Sequence, residues 1–137
     1  MSSVTDIQAA PSDLAEAHYV SRMQFEADCW DVHHSMATKD MDFVLLDVRG
    51  PDMYQKAHIP GAINLPHGKI INRKLADWPA DTLFVVYCAG IHCNASTKAA
   101  VRLAKLGRPV KEMIGGMMGW EDEGFEFASG EEPGAIS

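Results

Sequence analysis

Two cysteines lie five residues apart in the segment VVYCAGIHCNAS, residues 85–96. The apolar run VVY before Cys88 predicts the end of a buried strand, and the sequence NASTKAAVRLAKLG after Cys93 predicts a helix that stops at its glycine. Cys88 is therefore expected at the carboxyl end of a strand, the edge at which α/β proteins place their functional residues. A thiolate at this point would be a nucleophile, because a helix N-terminus lowers the pKa of cysteine from its free value of about 8.5.

The loop after Cys88 has the composition of an anion-binding segment. Its backbone N–H groups could surround a sulfur atom as a nest, which would hold a thiolate, a persulfide or an oxyanion. Ala89 and Gly90 are small, which allows the loop to turn tightly around a sulfur atom. The predicted binding loop consists of Ala89, Gly90, Ile91, His92, Cys93 and Asn94.

Cys93 is a candidate resolving thiol. It could attack a persulfide or a sulfenic acid on Cys88 and close a disulfide. Such a bond requires the two Cα atoms to come within about 7 Å. The alternative is that Cys93 packs inward at the start of the helix and takes no part in chemistry. The sequence leaves both interpretations open.

Length and charge limit the classes of protein to be considered. The 137 residues predict one domain, and the apolar fraction of 47% is enough for a proper core. The formal charge of −7 argues against nucleic acid or acidic membrane surfaces as partners, because both require a basic surface. An anionic substrate would have to be held by local features, since the overall field repels it.

The three cysteines form an odd, sparse set, and the N-terminal residues show no secretory pattern. Together these features predict reduced thiols and a cytoplasmic location. Cys29 is predicted to be a small buried hydrophobic residue. The spacing of Cys88 and Cys93 does not fit a zinc site, so no metal is expected. No organic cofactor is expected either.

Strands and helices are predicted to alternate along the chain, which favours an α/β fold with a parallel sheet and helices on both faces. Asp28 is predicted to cap the helix over 29–40, and Ser12 to cap the first helix. The predicted organisation is a disordered lead-in at 1–11, an N-terminal helix at 12–24, a globular domain at 25–127 and a frayed tail at 128–137. Strands are predicted at 43–49, within 58–66, at 81–88 and at 110–116, and helices at 51–57, 69–78, 94–107 and 117–124.

Three segments in order resemble the signatures of the rhodanese family: LLDVRGPDMYQKAHIPGAINLP, VVYC with its loop, and MIGGMMGWEDEGF. The resemblance covers residues 25–127. It implies a rhodanese-like three-layer α/β fold with a mostly parallel central sheet, and a sulfurtransferase activity in which Cys88 carries a persulfide sulfur. Four signature residues are expected to have structural roles: Asp47 and Arg49 brace loops, His58 holds neighbouring backbone, and Trp120 anchors the last helix in the core.

The loop departs from the commonest pattern of this family. Family members often carry Arg, Ser or Thr five residues after the cysteine, where this chain has Cys93, and the loop here looks longer. Asn94, at the sixth position, lacks the charged fork with which related phosphatases grip phosphate, so phosphatase activity is not favoured. His92 or Lys98 could supply positive charge in its place. Three methionines lie in or just after the strand predicted at 110–116 and are expected to line the pocket beside Cys88 or to fill the core: Met113, Met117 and Met118.

The predicted function is transfer of a sulfane sulfur from a donor such as thiosulfate or a persulfide to a thiophilic acceptor. A small-molecule donor and an acceptor protein thiol are the expected partners, without nucleic acid or membrane. Two alternatives stay open: a thiol–disulfide redox protein that uses Cys88 and Cys93, and a non-catalytic rhodanese-like binding module.

Overall fold

Five parallel strands form one central sheet in the computed structural model, which describes residues 1–137. Their order across the sheet is β1-β5-β4-β2-β3, so β4 lies at the centre. All-parallel sheets are covered on both faces, which explains why the central strands are almost entirely apolar. The strands are β1 (Glu26–Ala27), β2 (Val44–Asp47), β3 (Ile63–Asn64), β4 (Phe84–Tyr87) and β5 (Val110–Met113).

Helices cover both faces of the sheet and give the protein three layers. Side chains of α2, α3 and α6 pack in one core cluster, whereas those of α4 and α5 pack in a second cluster on the opposite face. The prediction of an α/β fold with a parallel sheet between helical layers is confirmed. The helices are α1 (Ser12–Phe25), α2 (Cys29–Ala37), α3 (Pro51–Lys56), α4 (Asn72–Leu75), α5 (Ala95–Lys105) and α6 (Gly116–Asp122), and a short 3₁₀ turn covers His67–Lys69.

The alternation of side chains along β4 divides the core between these two clusters. Val85 and Tyr87 face the cluster that contains Trp120, and Phe84 and Val86 face the cluster formed with α5. Successive residues of a strand point to opposite faces, so each residue of β4 meets a different layer. This packing holds the carboxyl end of β4, and therefore the start of the next loop, between two rigid layers.

Two elements differ from the sequence prediction. β1 carries no predictive signal, because two residues are too few to show periodicity; it pairs with β5 through Glu26 and Glu112. The predicted helix over 69–78 is only the 3₁₀ turn followed by the four-residue α4. Ile70 is buried in an extended conformation between them, so its burial in the core interrupts the helical pattern.

The cap predictions had different outcomes. Asp28 caps α2 as expected, because its Oδ1 accepts from the N–H of Asp31 at 2.8 Å. Ser12 is instead the first residue of α1, and Pro11 before it offers no side-chain cap. No residue of α1 is buried. None of the helices combines the length and the apolar character needed to cross a membrane.

The tail over 128–137 differs from the frayed segment that its composition suggests. Ala128 and His58 exchange two backbone hydrogen bonds of 2.8 and 2.9 Å, and the carbonyl oxygen of Pro133 accepts from the N–H of Gly61 at 2.8 Å. Ile136 packs against the core cluster around Trp120. The tail is ordered because the turn at residues 58–61 offers backbone groups that would otherwise lack partners.

Candidate active site

Cys88 follows β4 directly and begins the loop that leads to α5. Its side chain is only 5% exposed, and it lines a cavity of about 230 Å³. Four of the six predicted loop residues line the same cavity: Gly90, Ile91, Cys93 and Asn94. The other two, Ala89 and His92, do not line it, and the side chain of His92 is exposed to solvent.

A disulfide joins Cys88 to Cys93. Their Cα atoms are 6.4 Å apart, inside the limit of about 7 Å for such a bond. The loop turns back on itself because the N–H of Cys93 donates to the carbonyl oxygen of Gly90 at 3.1 Å. The geometric requirement for Cys93 to react with Cys88 is therefore met.

Most backbone N–H groups of the loop are free. Apart from that of Cys93, the N–H groups of residues 89–94 donate to no acceptor in the protein. The loop runs directly into the N-terminus of α5, where further N–H groups lack intrahelical partners and the helix dipole is positive. An anionic sulfur species in the cavity would find donors in this part of the chain.

The first turn of α6 holds the loop from the other side. The N–H of Met117 donates to the carbonyl oxygen of Cys88 at 3.0 Å, and the N–H of Met118 donates to that of Ala89 at 2.9 Å. Gly116 has φ 56°, and a Cβ atom on it would overlap the carbonyl oxygen of Cys88. Only glycine allows this close approach, which explains the double glycine of the third signature.

Three polar residues of the cavity, Ser96, Thr97 and Glu112, were not predicted from the sequence. Ser96 Oγ donates to Glu112 Oε2 at 3.0 Å, and Thr97 Oγ1 donates to both Glu112 oxygens at 3.1 and 3.2 Å. All three residues line the cavity beside Cys88. The available signals were a charged residue near the end of a strand and two hydroxyl residues in the first turn of the following helix.

The two predicted sources of positive charge lie elsewhere. Neither His92 nor Lys98 lines the cavity, and both side chains are exposed. Lys98 borders a separate groove with His67, Arg102 and Lys105. No lysine, arginine or histidine lines the cavity around Cys88, so neither His92 nor Lys98 places its side chain in the cavity wall.

Asp47 and Arg49 form a buried ion pair outside the cavity. Arg49 Nη2 donates to Asp47 Oδ2 at 2.7 Å and to the carbonyl oxygen of Ala57 at 2.6 Å. Burial lowers the pKa of Arg49, but its hydrogen bonds to Asp47 and the charge of Asp47 raise it by more. Tyr87 extends the network, because its hydroxyl donates to Asp47 Oδ2 and accepts from the N–H of Ile59. Burial, followed by the charge of Asp47, raises the pKa of Tyr87 well above its usual value.

His58 and Trp120 are likewise placed in the framework and do not line the cavity. His58 is fully buried, with its ring nitrogens 2.8 and 3.0 Å from the carbonyl oxygens of Tyr54 and Pro133. Trp120 is fully buried, and its Nε1 donates to the carbonyl oxygen of Glu126 at 2.6 Å. Burial and hydrogen bonds to backbone are consistent with the structural roles expected of His58 and Trp120.

Cys29 is buried against the turn between β5 and α6, where its thiol lies 3.5 and 3.6 Å from the carbonyl oxygens of Ile114 and Gly116. Burial raises the pKa of this thiol to about 11, and the negative charges of nearby carboxylates act in the same direction. Among the methionines, Met113 both lines the cavity and belongs to the core, whereas Met118 is 54% exposed. No group of three or more His, Cys, Asp or Glu side chains is placed to hold a metal ion.

Comparisons with known proteins identify the domain family and similar folds. The family model described as the rhodanese-like domain matches residues 31–123. An HTH-type transcriptional regulator of Mycobacterium tuberculosis is 40% identical over 90 residues, which make up 65% of this chain and 39% of the regulator. The chain spans less than half the length of the curated relatives that it matches.

Two solved structures support the comparison. The crystal structure of the BH2092 protein from Bacillus halodurans has a TM-score of 0.84 and 32% identity, with 88% of each chain covered. The crystal structure of thiosulfate sulfurtransferase from Pseudomonas aeruginosa has a TM-score of 0.65 and 26% identity, and it covers 86% of this chain and 23% of that one.

Proposed function

Because the chain belongs to the rhodanese-like domain family, we propose that it is a sulfurtransferase in which Cys88 carries the transferred sulfur as a persulfide. The observation that carries the proposal is the setting of Cys88: a buried thiol position at the end of β4, lining a cavity, in a loop with free backbone N–H groups. Similarity to a thiosulfate sulfurtransferase supports the reaction class.

In the first half-reaction the reduced Cys88 thiolate attacks the sulfane sulfur of a donor. A bond forms between Cys88 Sγ and that sulfur, the bond between the sulfur and the rest of the donor breaks, and the remainder leaves with the electron pair. The N–H groups of residues 89–92 and 94, which have no acceptor in the protein, stabilise the thiolate and then the persulfide anion.

In the second half-reaction an acceptor takes the sulfur. A thiolate from a small molecule or a protein attacks the outer sulfur of the Cys88 persulfide, which yields a new persulfide and returns the Cys88 thiolate. No oxidant or reductant is consumed, since the sulfane sulfur keeps its oxidation state through both steps.

Cys93 offers a second way to discharge the persulfide. Its thiolate attacks Cys88 Sγ, hydrosulfide leaves, and a Cys88–Cys93 disulfide forms. The sulfane sulfur is then reduced and the two cysteines are oxidised, so a dithiol reductant must restore them before the next cycle. The disulfide and the Cα separation of 6.4 Å support this route.

The same disulfide favours a second candidate function, thiol–disulfide exchange by the Cys88–Cys93 pair without a sulfur intermediate. The two functions differ in the mass of the intermediate. Sulfur transfer adds one sulfur atom to Cys88, whereas disulfide formation removes two hydrogen atoms.

Mass spectrometry of the fully reduced protein tests the proposal. The protein is treated with thiosulfate, and separately with a small-molecule persulfide, and the Cys88 peptide is analysed. We expect an added sulfur that cyanide removes and that is absent in Cys88→Ser. A Cys88–Cys93 disulfide formed without any persulfide would support the redox function instead. If neither donor modifies the protein, the non-catalytic binding module becomes the favoured function.

A further inference from the structure

Glu112 is the only charged residue that lines the cavity around Cys88. The remaining lining residues are apolar, glycine, cysteine or uncharged polar residues. A site for an anionic donor would be expected to present a cation, and this cavity presents a carboxylate. The local charge therefore has the same sign as the net charge of −7 of the whole chain.

The register of the sheet brings this carboxylate close to the sulfur. Glu112 of β5 is the partner of Val86 in β4, and Cys88 lies two residues beyond Val86. Residues two apart along a strand share a face, and each step advances about 3.3 Å. The Glu112 and Cys88 side chains thus start on the same face of the sheet, about 7 Å apart along the strand direction.

The carboxylate is held in position by the start of α5. Both of its oxygens accept from Thr97 Oγ1, and Oε2 also accepts from Ser96 Oγ. The hydroxyl groups that could have bound an oxyanion of the donor are therefore occupied by a charge that belongs to the protein. An incoming anion would have to displace Glu112 or accept its repulsion.

We propose that Glu112 is a specificity-determining residue that disfavours thiosulfate and selects small sulfane-sulfur donors that carry an ammonium group near the sulfur. The ammonium group pairs with the Glu112 carboxylate while the sulfane sulfur reaches Cys88. A cavity of about 230 Å³ suits a donor of a few heavy atoms. This inference rests on the proposed sulfurtransferase function and names the substrate class for the same site.

The reaction of such a donor is balanced without any further reagent. The Cys88 thiolate attacks the terminal sulfur of a thiosulfonate, R–SO₂–S⁻; the S–S bond of the donor breaks, and a sulfinate, R–SO₂⁻, leaves with the electron pair. Cys88 then holds the sulfur as a persulfide anion. With thiosulfate the same step releases sulfite.

The size of the effect follows from Coulomb's law. With the spacing of about 4.8 Å between neighbouring strands included, Glu112 and Cys88 are about 8 Å apart. Unit charges at this separation and an effective dielectric constant of about 20 change a rate constant by about thirtyfold. Salt and the partial exposure of Glu112 reduce this to about tenfold for each unit of donor charge.

Three donors of different charge test the inference: methanethiosulfonate, a monoanion; aminoethanethiosulfonate, a zwitterion that also releases a sulfinate; and thiosulfate, a dianion that releases sulfite. Quenched-flow mass spectrometry measures the rate of Cys88 persulfide formation with each. We expect wild type to prefer the zwitterion to methanethiosulfonate by about tenfold, since these two donors differ by one unit of charge. Glu112→Gln should remove this preference and raise the rate with thiosulfate, which carries two negative charges, by about a hundredfold. Glutamine keeps an oxygen acceptor for Ser96 and Thr97, so the variant should retain the fold.

Glu121→Gln is the matched control, since it removes the same charge from an exposed position on α6 and should leave the preference unchanged. Equal rates with the two thiosulfonates in wild type would overturn the inference, even if Glu112→Gln failed to fold, while the Cys88 persulfide would still support the proposed function. An unchanged preference in folded Glu112→Gln would also overturn it. No persulfide with any donor would remove the proposed function and this inference together.

Discussion

The backbone N–H of Met117 donates to the carbonyl oxygen of Cys88 at 3.0 Å, which ties the first turn of α6 to the loop of the candidate nucleophile. The contact is possible because Gly115 and Gly116 both have positive φ, at 91° and 56°. The third signature of the chain thus positions the second, although the whole of α5 and most of β5 lie between them in the sequence.

Gly116→Ala should distort the loop and destabilise the protein. The added Cβ would overlap the carbonyl oxygen of Cys88, in addition to the cost of a left-handed backbone. We expect a loss of about 3 kcal/mol or more in the free energy of unfolding and a slower reaction at Cys88. Urea denaturation and the rate of Cys88 alkylation measure the two effects.

Gly124→Ala is the control, because Gly124 also has positive φ but a Cβ atom added to it would meet nothing within 4 Å. That variant should lose only about 1 kcal/mol, the backbone cost alone. Equal losses in the two variants would show that the approach of Gly116 to Cys88 is unimportant.

Cys93→Ser should separate the loading of Cys88 from its discharge. Cys88 is unchanged in this variant and should still accept sulfur. Release of hydrosulfide in a single turnover should fall about tenfold or more, because serine cannot attack the persulfide and form the disulfide. Intact mass and a hydrosulfide assay follow the two steps. Unchanged release in Cys93→Ser would mean that Cys93 is a bystander. Cys29→Ala, which alters a thiol outside the loop, should behave like wild type.

Arg49→Ala should affect folding more than chemistry. It leaves the fully buried Asp47 carboxylate without its partner, which costs about 3–5 kcal/mol in comparable buried pairs. Arg22→Ala breaks an exposed pair with Glu26 and should cost less than about 1 kcal/mol. Chemical denaturation compares the variants. A fully stable but inactive Arg49→Ala would place Arg49 in the chemistry instead.

Stability should fall in the alkaline range because of Cys29. Burial raises the pKa of this thiol from 9.0 to about 11, so the neutral thiol favours folding fully below pH 9, and this contribution disappears as the pH rises toward 11. The loss amounts to about 2–3 kcal/mol. Cys29→Ala should flatten that part of the curve of unfolding free energy against pH, with the alkaline titration of Tyr54 and Tyr87 left in both proteins. Identical slopes above pH 9 in the two proteins would contradict the assignment.

Much of the fold could be read from local patterns. Continuous apolar runs predict the strands around Leu45 and Val85, and helical periodicity predicts the helix after Cys93. These three elements lie where the sequence places them. The two-residue β1 carries no periodic signal, and Ile70 interrupts a helical pattern only because the core draws it inward. The ordered tail depends on hydrogen bonds to residues 55–61, which no local pattern reveals.

Some residues of the candidate site could likewise be predicted from local sequence patterns, and others could not. Cys88 and the loop that follows it were evident from a strand, a thiol and a helix in succession. Glu112 was not evident, because its importance comes from the pairing of β5 with β4. That pairing makes Glu112 the partner of Val86, two residues before Cys88, although 24 residues separate Glu112 from Cys88 in the sequence. His92 and Lys98 looked suitable by sequence distance alone, yet both side chains are exposed to solvent.

By itself the sequence determined the class of fold and the identity of the candidate nucleophile, because both depend on residue types and on short-range periodicity. Only the tertiary structure decided the charge of the cavity, the closeness of Cys93 to Cys88 and the support that α6 gives to the loop. These properties depend on sheet register and loop geometry, which arise from contacts between residues distant in the chain.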